Sequence, residues 1–333
     1  MIKVGVIGLG AMGQHHVRIY KELGCEVIGV VDASYERARE IGLKYDVPYY
    51  TGYDSLLAQG IEAASIAVPT SMHKMIARDF ITAGVHCLVE KPIASTVEEA
   101  ESMIEAAAIN QVKLMVGHIE RFNPVVLRLK QLIQEGVLGK IMLISTRRVG
   151  PFQPRIRDVG IIIDSATHDI DAARFLTGQE PVAIYSKAGR LRHPNHEDHA
   201  LVMLDFGDSA ASVEVNWFTP HKVRTLVATG SEGISYLDYI EQKLTIHNLY
   251  QDSTIKTEKA EPLRTEILHF ISSVTNNTKP MVDGQEGLNT LRIALKASEV
   301  VNDVQGQANC CGGAGIQRRD LYRKCNKGDA GIC

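Results

Sequence analysis

Val4-Gly5-Val6-Ile7-Gly8-Leu9-Gly10-Ala11-Met12-Gly13 decides the fold. A short apolar run meets three glycines spaced G-x-G-x-x-G, and a helical pattern starts directly afterwards. The first glycine permits a tight turn. The second lets the backbone approach a pyrophosphate, and the third lets a helix pack closely on its strand. The helix N-terminus adds free N–H groups and partial positive charge. The spacing alone is a common chance match, so the strand–turn–helix context carries the weight. The next strand, Glu26–Val31, runs into Asp32, about where a carboxylate accepts hydrogen bonds from adenosine ribose hydroxyls. Such a carboxylate repels a 2′-phosphate, and no arginine immediately follows Asp32. The expected cofactor is therefore NAD rather than NADP, held by Gly8, Gly10, Ala11, Met12, Gly13 and Asp32.

Outward from that turn the chain alternates. Strands are expected at Lys3–Ile7, Glu26–Val31, Ala64–Val68, His86–Val89 and Lys113–Val116. Each is rich in Val, Ile or Leu, as strands buried on both faces are. Helices are expected at Gly13–Leu23, Ser34–Tyr45, His73–Ala83 and Val97–Asn110, the last with Ser95 or Thr96 as N-cap. This alternation builds a doubly wound parallel sheet. After Phe122 the pattern changes. Asn123-Pro124 opens a helix with proline at its first position. β-rich stretches then dominate: Ile141–Val149, Val182–Leu191, His199–Phe206, Ala211–Phe218, Thr225–Ala228 and Ile234–Ile246. Gly207-Asp208 reads as a hairpin turn. Strands without intervening helices predict a largely antiparallel sheet, followed by helices at Leu263–Thr275 and Gln285–Val301. The expected fold class is an α/β Rossmann doubly wound sheet over 1–121 plus an α+β domain over 122–304.

The 333 residues suffice for two domains. Hydrophobic residues at 45% and charged residues at 23% exclude a disordered chain. A formal net charge of -3 offers no basic field, so no nucleic-acid partner is expected. No apolar run has membrane-spanning length. Met1-Ile2-Lys3-Val4 enters a strand without a secretory pattern, so the expected location is cytoplasmic and no membrane partner is expected. Cys25 and Cys87 sit in strand-like runs and read as small buried hydrophobes.

Glu90-Lys91-Pro92 closes the run Val85-His86-Cys87-Leu88-Val89 and puts Lys91 at a strand's carboxyl end, where open α/β sheets bind ligands. An ammonium there can polarise a substrate hydroxyl or carbonyl. Downstream, Asp164-Ser165-Ala166-Thr167-His168 reads as the start of a helix, with Asp164 and His168 on one face. Histidine suits proton removal at neutral pH. Taken alone, the stretch also reads as a capping Asp followed by a buried histidine. No third ligand stands at a metal-binding spacing, so no metal is expected. Val68-Pro69-Thr70 ends another strand, and His73, taken alone, reads as a surface histidine at a helix N-terminus.

Together these residues resemble the Gfo/Idh/MocA oxidoreductase family. The resemblance covers Met1 to about Val304 and includes Lys279-Pro280-Met281-Val282-Asp283-Gly284-Gln285-Glu286-Gly287-Leu288. It implies that Lys91, Asp164 and His168 are catalytic, with Lys91 and His168 flanking the nicotinamide. It also implies an often-cis Lys–Pro bond and sets Pro69, Thr70, His73, Glu90 and Lys91 against the cofactor. Ser165-Ala166 departs from the glycine many members carry there, yet leaves His168 in phase. Gly117-His118-Ile119-Glu120-Arg121-Phe122-Asn123-Pro124 and Arg147-Arg148-Val149-Gly150-Pro151 resemble the branch that oxidises the 3-hydroxyl of UDP-N-acetylglucosamine with NAD. A UDP-sugar substrate calls for guanidinium groups at its pyrophosphate, and Arg121, Arg148, Arg155 and Arg157 are the candidates. Inositol or free-sugar oxidation and a non-catalytic NAD-binding regulator are the alternatives. The family's second domain implies a homodimer or homotetramer.

The last stretch, 305–333, falls outside the resemblance. It carries Cys310, Cys311, Cys325 and Cys333 at spacings that match no zinc pattern, and reads as a disordered or non-native extension.

Overall fold

The computed structural model describes residues 1–152, 159–249 and 252–310, with backbone only over 300–310. The first half alternates as its sequence pattern requires. Its elements are β1 (Lys3–Ile7), α1 (Ala11–Glu22), β2 (Glu26–Val31), α2 (Tyr35–Tyr45), β3 (Tyr49–Tyr50), α3 (Asp54–Leu57), β4 (Ala63–Ile66), α4 (His73–Thr82), β5 (His86–Glu90), α5 (Val97–Ile109) and β6 (Leu114–Gly117). All six strands are parallel in the order β3-β2-β1-β4-β5-β6. The direction of winding reverses between β1 and β4, which opens a crevice beyond their carboxyl ends. Val4, Val6, Ile66, Leu88, Val89 and Met115 are buried in this core. Cys87 is buried with them, and Cys25 is half-buried. Local signals act as expected. Thr96 Oγ1 accepts the Glu99 N–H at 3.2 Å, while the Glu99 carboxylate accepts the Ser95 N–H at 3.1 Å, a reciprocal cap for α5.

The second half contains α6 (Pro124–Gln134), β7 (Ile141–Pro151), α7 (Thr167–Thr177), β8 (Ala183–Gly189), β9 (His199–Asp205), β10 (Ala210–Asn216), β11 (Phe218–Gly230), β12 (Ile234–Asp238), β13 (Lys243–His247), β14 (Asp252–Ile255), α8 (Pro262–Thr275) and α9 (Gly284–Cys310). Eight strands form one sheet, β14-β13-β12-β11-β7-β10-β9-β8. Every pair is antiparallel except β7 with β10. The β9–β10 hairpin turns at Gly207, whose φ of +86° suits glycine. The stretch 234–246, read as one strand, is two. Asp238 Oδ1 accepts the N–H groups of Ile240 and Glu241 at 2.8 and 2.9 Å and folds the chain back between β12 and β13. One sheet face packs on α6, α7 and α9. On β9, buried Val202 and Leu204 alternate with Leu201 and Met203, which are exposed on the open face.

A linear division at 121/122 does not describe the packing. Leu263, Ile267 and Phe270 of α8, with Val282, Leu288 and Leu291, lie in the first core. Ile293, Ala294 and Ala297 of α9 lie in the second. The chain therefore returns to its first core after building the second. α9 also runs to Cys310, past the Val301 limit read from sequence. The rest of the Cys-rich extension lies outside the described residues. Among the described residues no helix is long and apolar enough to cross a membrane.

Candidate active site

The three glycines of the first turn do different work. Gly8 has a φ of +88°, and a Cβ there would lie 2.5 Å from the Ala67 carbonyl oxygen. A Cβ on Gly13 would lie 1.8 Å from the Gly8 oxygen, so α1 could not pack as it does. A Cβ on Gly10 would meet open space, so its bareness matters toward a ligand rather than toward the protein. α1 begins at Ala11 and carries no acidic residue in its first turn, which suits an anion at its N-terminus. Asp32 is 8% exposed and held from below. Its Oδ2 accepts the Leu9 N–H at 2.9 Å and its Oδ1 accepts the Ser34 N–H at 2.9 Å. This backbone cradle with a fixed carboxylate fits a dinucleotide: the turn for the pyrophosphate, Asp32 for the ribose. Exposed Arg37 reaches Asp32 at 3.4 Å, a neighbour that inspection of the residues just after Asp32 does not reveal.

His73 is buried, not a surface histidine. Its Nδ1 lies 2.9 Å from the Pro92 carbonyl and its Nε2 lies 3.0 Å from the Val68 carbonyl. The ring thus ties the Val68-Pro69-Thr70 loop to the Lys91-Pro92 bend, whose peptide bond is cis.

A cleft of about 370 Å³ opens where the two domains meet. Glu90, Lys91, Asp164, His168 and Met12 all line it, so residues far apart in sequence converge. Lys91 Nζ donates to the Asp164 backbone carbonyl and lies 3.4 Å from Asp164 Oδ1. Ser165 Oγ donates to Asp164 Oδ2 at 2.9 Å. Asp164 sits in a wide π-type turn, Ile162–Ala166, that leads into α7 at Thr167. His168 lies one residue into α7. Burial, then the Lys91 and Arg148 cations, holds its imidazole well below the ordinary histidine range, so it is neutral at pH 7.

The arginines divide. Arg121 is 3% exposed and does not line the cleft. It grips Asp171 at 2.8 and 2.7 Å and Glu286 at 2.6 Å. Arg148 lines the cleft, but its guanidinium donates to Asp169 at 2.8 and 3.2 Å and to Glu120 at 3.0 Å. Both forks are taken up by carboxylates of the chain, which corrects the expectation that they stand ready for a pyrophosphate. Removing either partner would strand a buried charge at about 3–5 kcal/mol. Arg155 and Arg157 lie outside the described residues.

Two cations escape sequence inspection. Lys222 and Arg224 of β11 line the cleft together with Asn216 and Trp217. They stand two apart on a strand and share a face, which was the available signal. Arg224 lies directly opposite Arg148 across the sheet. Like charges in that position are unfavourable unless anions answer them. Carboxylates answer Arg148. No hydrogen bond or ion pair engages the Arg224 guanidinium among the described residues.

Fold and site together define a two-domain, dinucleotide-dependent oxidoreductase. Two family models match: an oxidoreductase family with an NAD-binding Rossmann fold over residues 2–118, and the GFO/IDH/MocA C-terminal domain over 126–235, together more than half of the chain. The chain belongs to the Gfo/Idh/MocA family, and it is an NAD-dependent oxidoreductase. It is 28% identical over 311 residues to the UDP-N-acetylglucosamine 3-dehydrogenase of Acidithiobacillus ferrooxidans, covering 90% of this chain and 97% of that protein. It is 28% identical over 319 residues to the scyllo-inositol 2-dehydrogenase (NAD(+)) of Bacillus subtilis, covering 89% and 93%. A solved structure of the Acidithiobacillus enzyme superposes with a TM-score of 0.84 over 91% of this chain and 98% of that one, at 28% identity.

Proposed function

We propose that this protein oxidises the 3-hydroxyl of a UDP-N-acetylhexosamine, UDP-N-acetylglucosamine in particular, to the 3-keto sugar. The observation that carries this reading is the Arg224 guanidinium, which has no hydrogen-bond or ion-pair partner among the described residues, beside Lys222 in the same cleft as Lys91, Asp164 and His168. A diphosphate would give the Arg224 guanidinium a direct anionic partner. NAD, when bound, supplies the hydride acceptor. Lys91 holds the sugar hydroxyl oxygen and stabilises negative charge developing on it. Neutral His168 takes the hydroxyl proton as the C–H electron pair departs with its hydrogen, and the C–O bond becomes a carbonyl. Asp164 keeps the Lys91 ammonium aimed into the cleft. Gly8, Gly10, Ala11, Met12 and Gly13 hold the pyrophosphate of the cofactor, and Pro69, Thr70 and Glu90 border its nicotinamide end. The exposed apolar residues Tyr185, Leu201, Met203 and Tyr236 on the open face of the second sheet support a homodimer or homotetramer.

The test offers the purified protein NAD with UDP-N-acetylglucosamine, other UDP-sugars, inositol and free hexoses. Reduced nicotinamide is followed by absorbance. Turnover with the UDP-N-acetylhexosamine is expected. Turnover confined to inositol or free sugars would sink the nucleotide-sugar assignment. NAD binding without any turnover would point to a regulator.

A further inference from the structure

Glu90 ends β5 and lines the cleft beside Lys91. Behind it runs a buried polar chain that hydride transfer as described does not use. His16 Nε2 lies 3.1 Å from Glu90 Oε1, and His16 Nδ1 lies 2.8 Å from Ser65 Oγ. The Tyr20 hydroxyl lies 2.7 Å from the same Ser65 Oγ. His16 is 1% exposed, and Ser65 and Tyr20 are 0% exposed. His16 and Tyr20 share a face of α1, four residues apart. Ser65 faces them from β4.

One proton arrangement satisfies every member of this chain. The Tyr20 hydroxyl donates to Ser65, Ser65 donates to His16 Nδ1, and His16 Nε2–H donates to Glu90. The Lys91 ammonium turns across the cleft to Asp164. The second Glu90 oxygen accepts the Lys91 backbone N–H at 3.2 Å.

Asp32 marks the adenosine end of the crevice. Glu90 follows β5, on the far side of the β1/β4 reversal, and so stands at the nicotinamide end. We propose that the Tyr20–Ser65–His16 chain holds Glu90 as a fixed anion at the nicotinamide end, and that this anion biases the protein toward the oxidised cofactor. An oxidised nicotinamide ring carries a positive charge that the reduced ring lacks, so a fixed carboxylate attracts one form and not the other. Burial alone would push the Glu90 carboxyl up. The His16 hydrogen bond and the neighbouring charges outweigh it and hold the group below the usual carboxylate range. Glu90 acts on the cofactor directly, and His16 is a positioning residue that acts through it. The inference rests on the NAD-binding domain and not on the identity of the sugar.

The test uses cofactor alone. Dissociation constants of NAD+ and NADH are measured by calorimetric titration for the wild type, Glu90→Gln, Glu90→Asp and His16→Ala, with folding checked by thermal melts. In Glu90→Gln the ratio Kd(NADH)/Kd(NAD+) is expected to fall about tenfold. Glu90→Asp keeps the charge and should stay within about twofold of wild type on the same Coulomb argument. His16→Ala should lower the ratio by about threefold or more, because Glu90 loses its charge-assisted donor. A purely structural role would weaken both cofactor forms equally. An unchanged ratio in folded Glu90→Gln overturns the proposal. Should that variant not fold, an unchanged ratio in His16→Ala overturns it instead.

Discussion

The two walls of the cleft are built on opposite principles. The cofactor wall is mostly backbone: three glycines, a helix N-terminus, and one carboxylate pinned by the Leu9 and Ser34 N–H groups. The substrate wall is made of charged side chains, most of which answer one another: Lys91 with Asp164, and Arg148 with Glu120 and Asp169. A backbone wall presents the same dipoles whatever surrounds it. A side-chain wall can be retuned by one substitution, and its charges are costly to leave unpaired. Under the proposed function, chemistry and specificity fall to the second wall, and tight, generic cofactor binding to the first.

That contrast can be broken or sharpened by experiment. The largest effect is expected at Lys91. Lys91→Ala should lower kcat about 10³-fold, with NAD affinity changed only a few-fold, by steady-state kinetics and cofactor titration. A matching loss of NAD binding would erase the division of labour. The next effect concerns how the substrate wall survives acid. His118, buried behind the cleft near Asp171, has its imidazole pushed down to about 4, chiefly by burial. The unfolded chain takes that proton near pH 6.5 and the folded one does not. Its contribution is therefore fully present above pH 6.5 and is lost as pH falls to 4, worth about 3 kcal/mol. Urea unfolding at pH 7 and 4.5 should show that loss in the wild type and a smaller one in His118→Asn. Superimposable pH dependence would reject it.

On the cofactor wall, Asp32→Ala should free Arg37 to meet a 2′-phosphate. The preference for NAD over NADP should fall about thirtyfold, read as the ratio of the two dissociation constants. An unchanged ratio would mean that Asp32 does not set the choice. The smallest effect is expected at Arg224. Arg224→Gln should raise KM for the nucleotide sugar about tenfold while kcat holds, the pattern of lost uniform binding. A fall in kcat at constant KM would move Arg224 from substrate binding into the chemistry.

How much of each wall could be read beforehand follows from the same difference. The cofactor wall is contiguous in sequence, so Gly8 through Gly13 and Asp32 announce it. Lys91 was legible because a strand's end is a defined place. Arg121 and Arg148 were misread because a guanidinium has no sequence mark that tells an internal partner from an external one. Asp171, Glu286, Glu120 and Asp169 are distant in sequence and reach them only through the tertiary fold. Lys222 and Arg224 were overlooked for the converse reason, being ordinary strand residues until β11 pairs with β7. The burial of His73 leaves no mark in the sequence, because its carbonyl partners belong to loops, which carry little local pattern.

α9 contributes Leu288 and Leu291 to one core and Ile293, Ala294 and Ala297 to the other. Neither domain owns that helix, so neither keeps its full interior when the other melts. The consequence is cooperativity across the whole molecule. Heating should give one calorimetric transition rather than two, and the segment 1–121 expressed alone should lack a stable core.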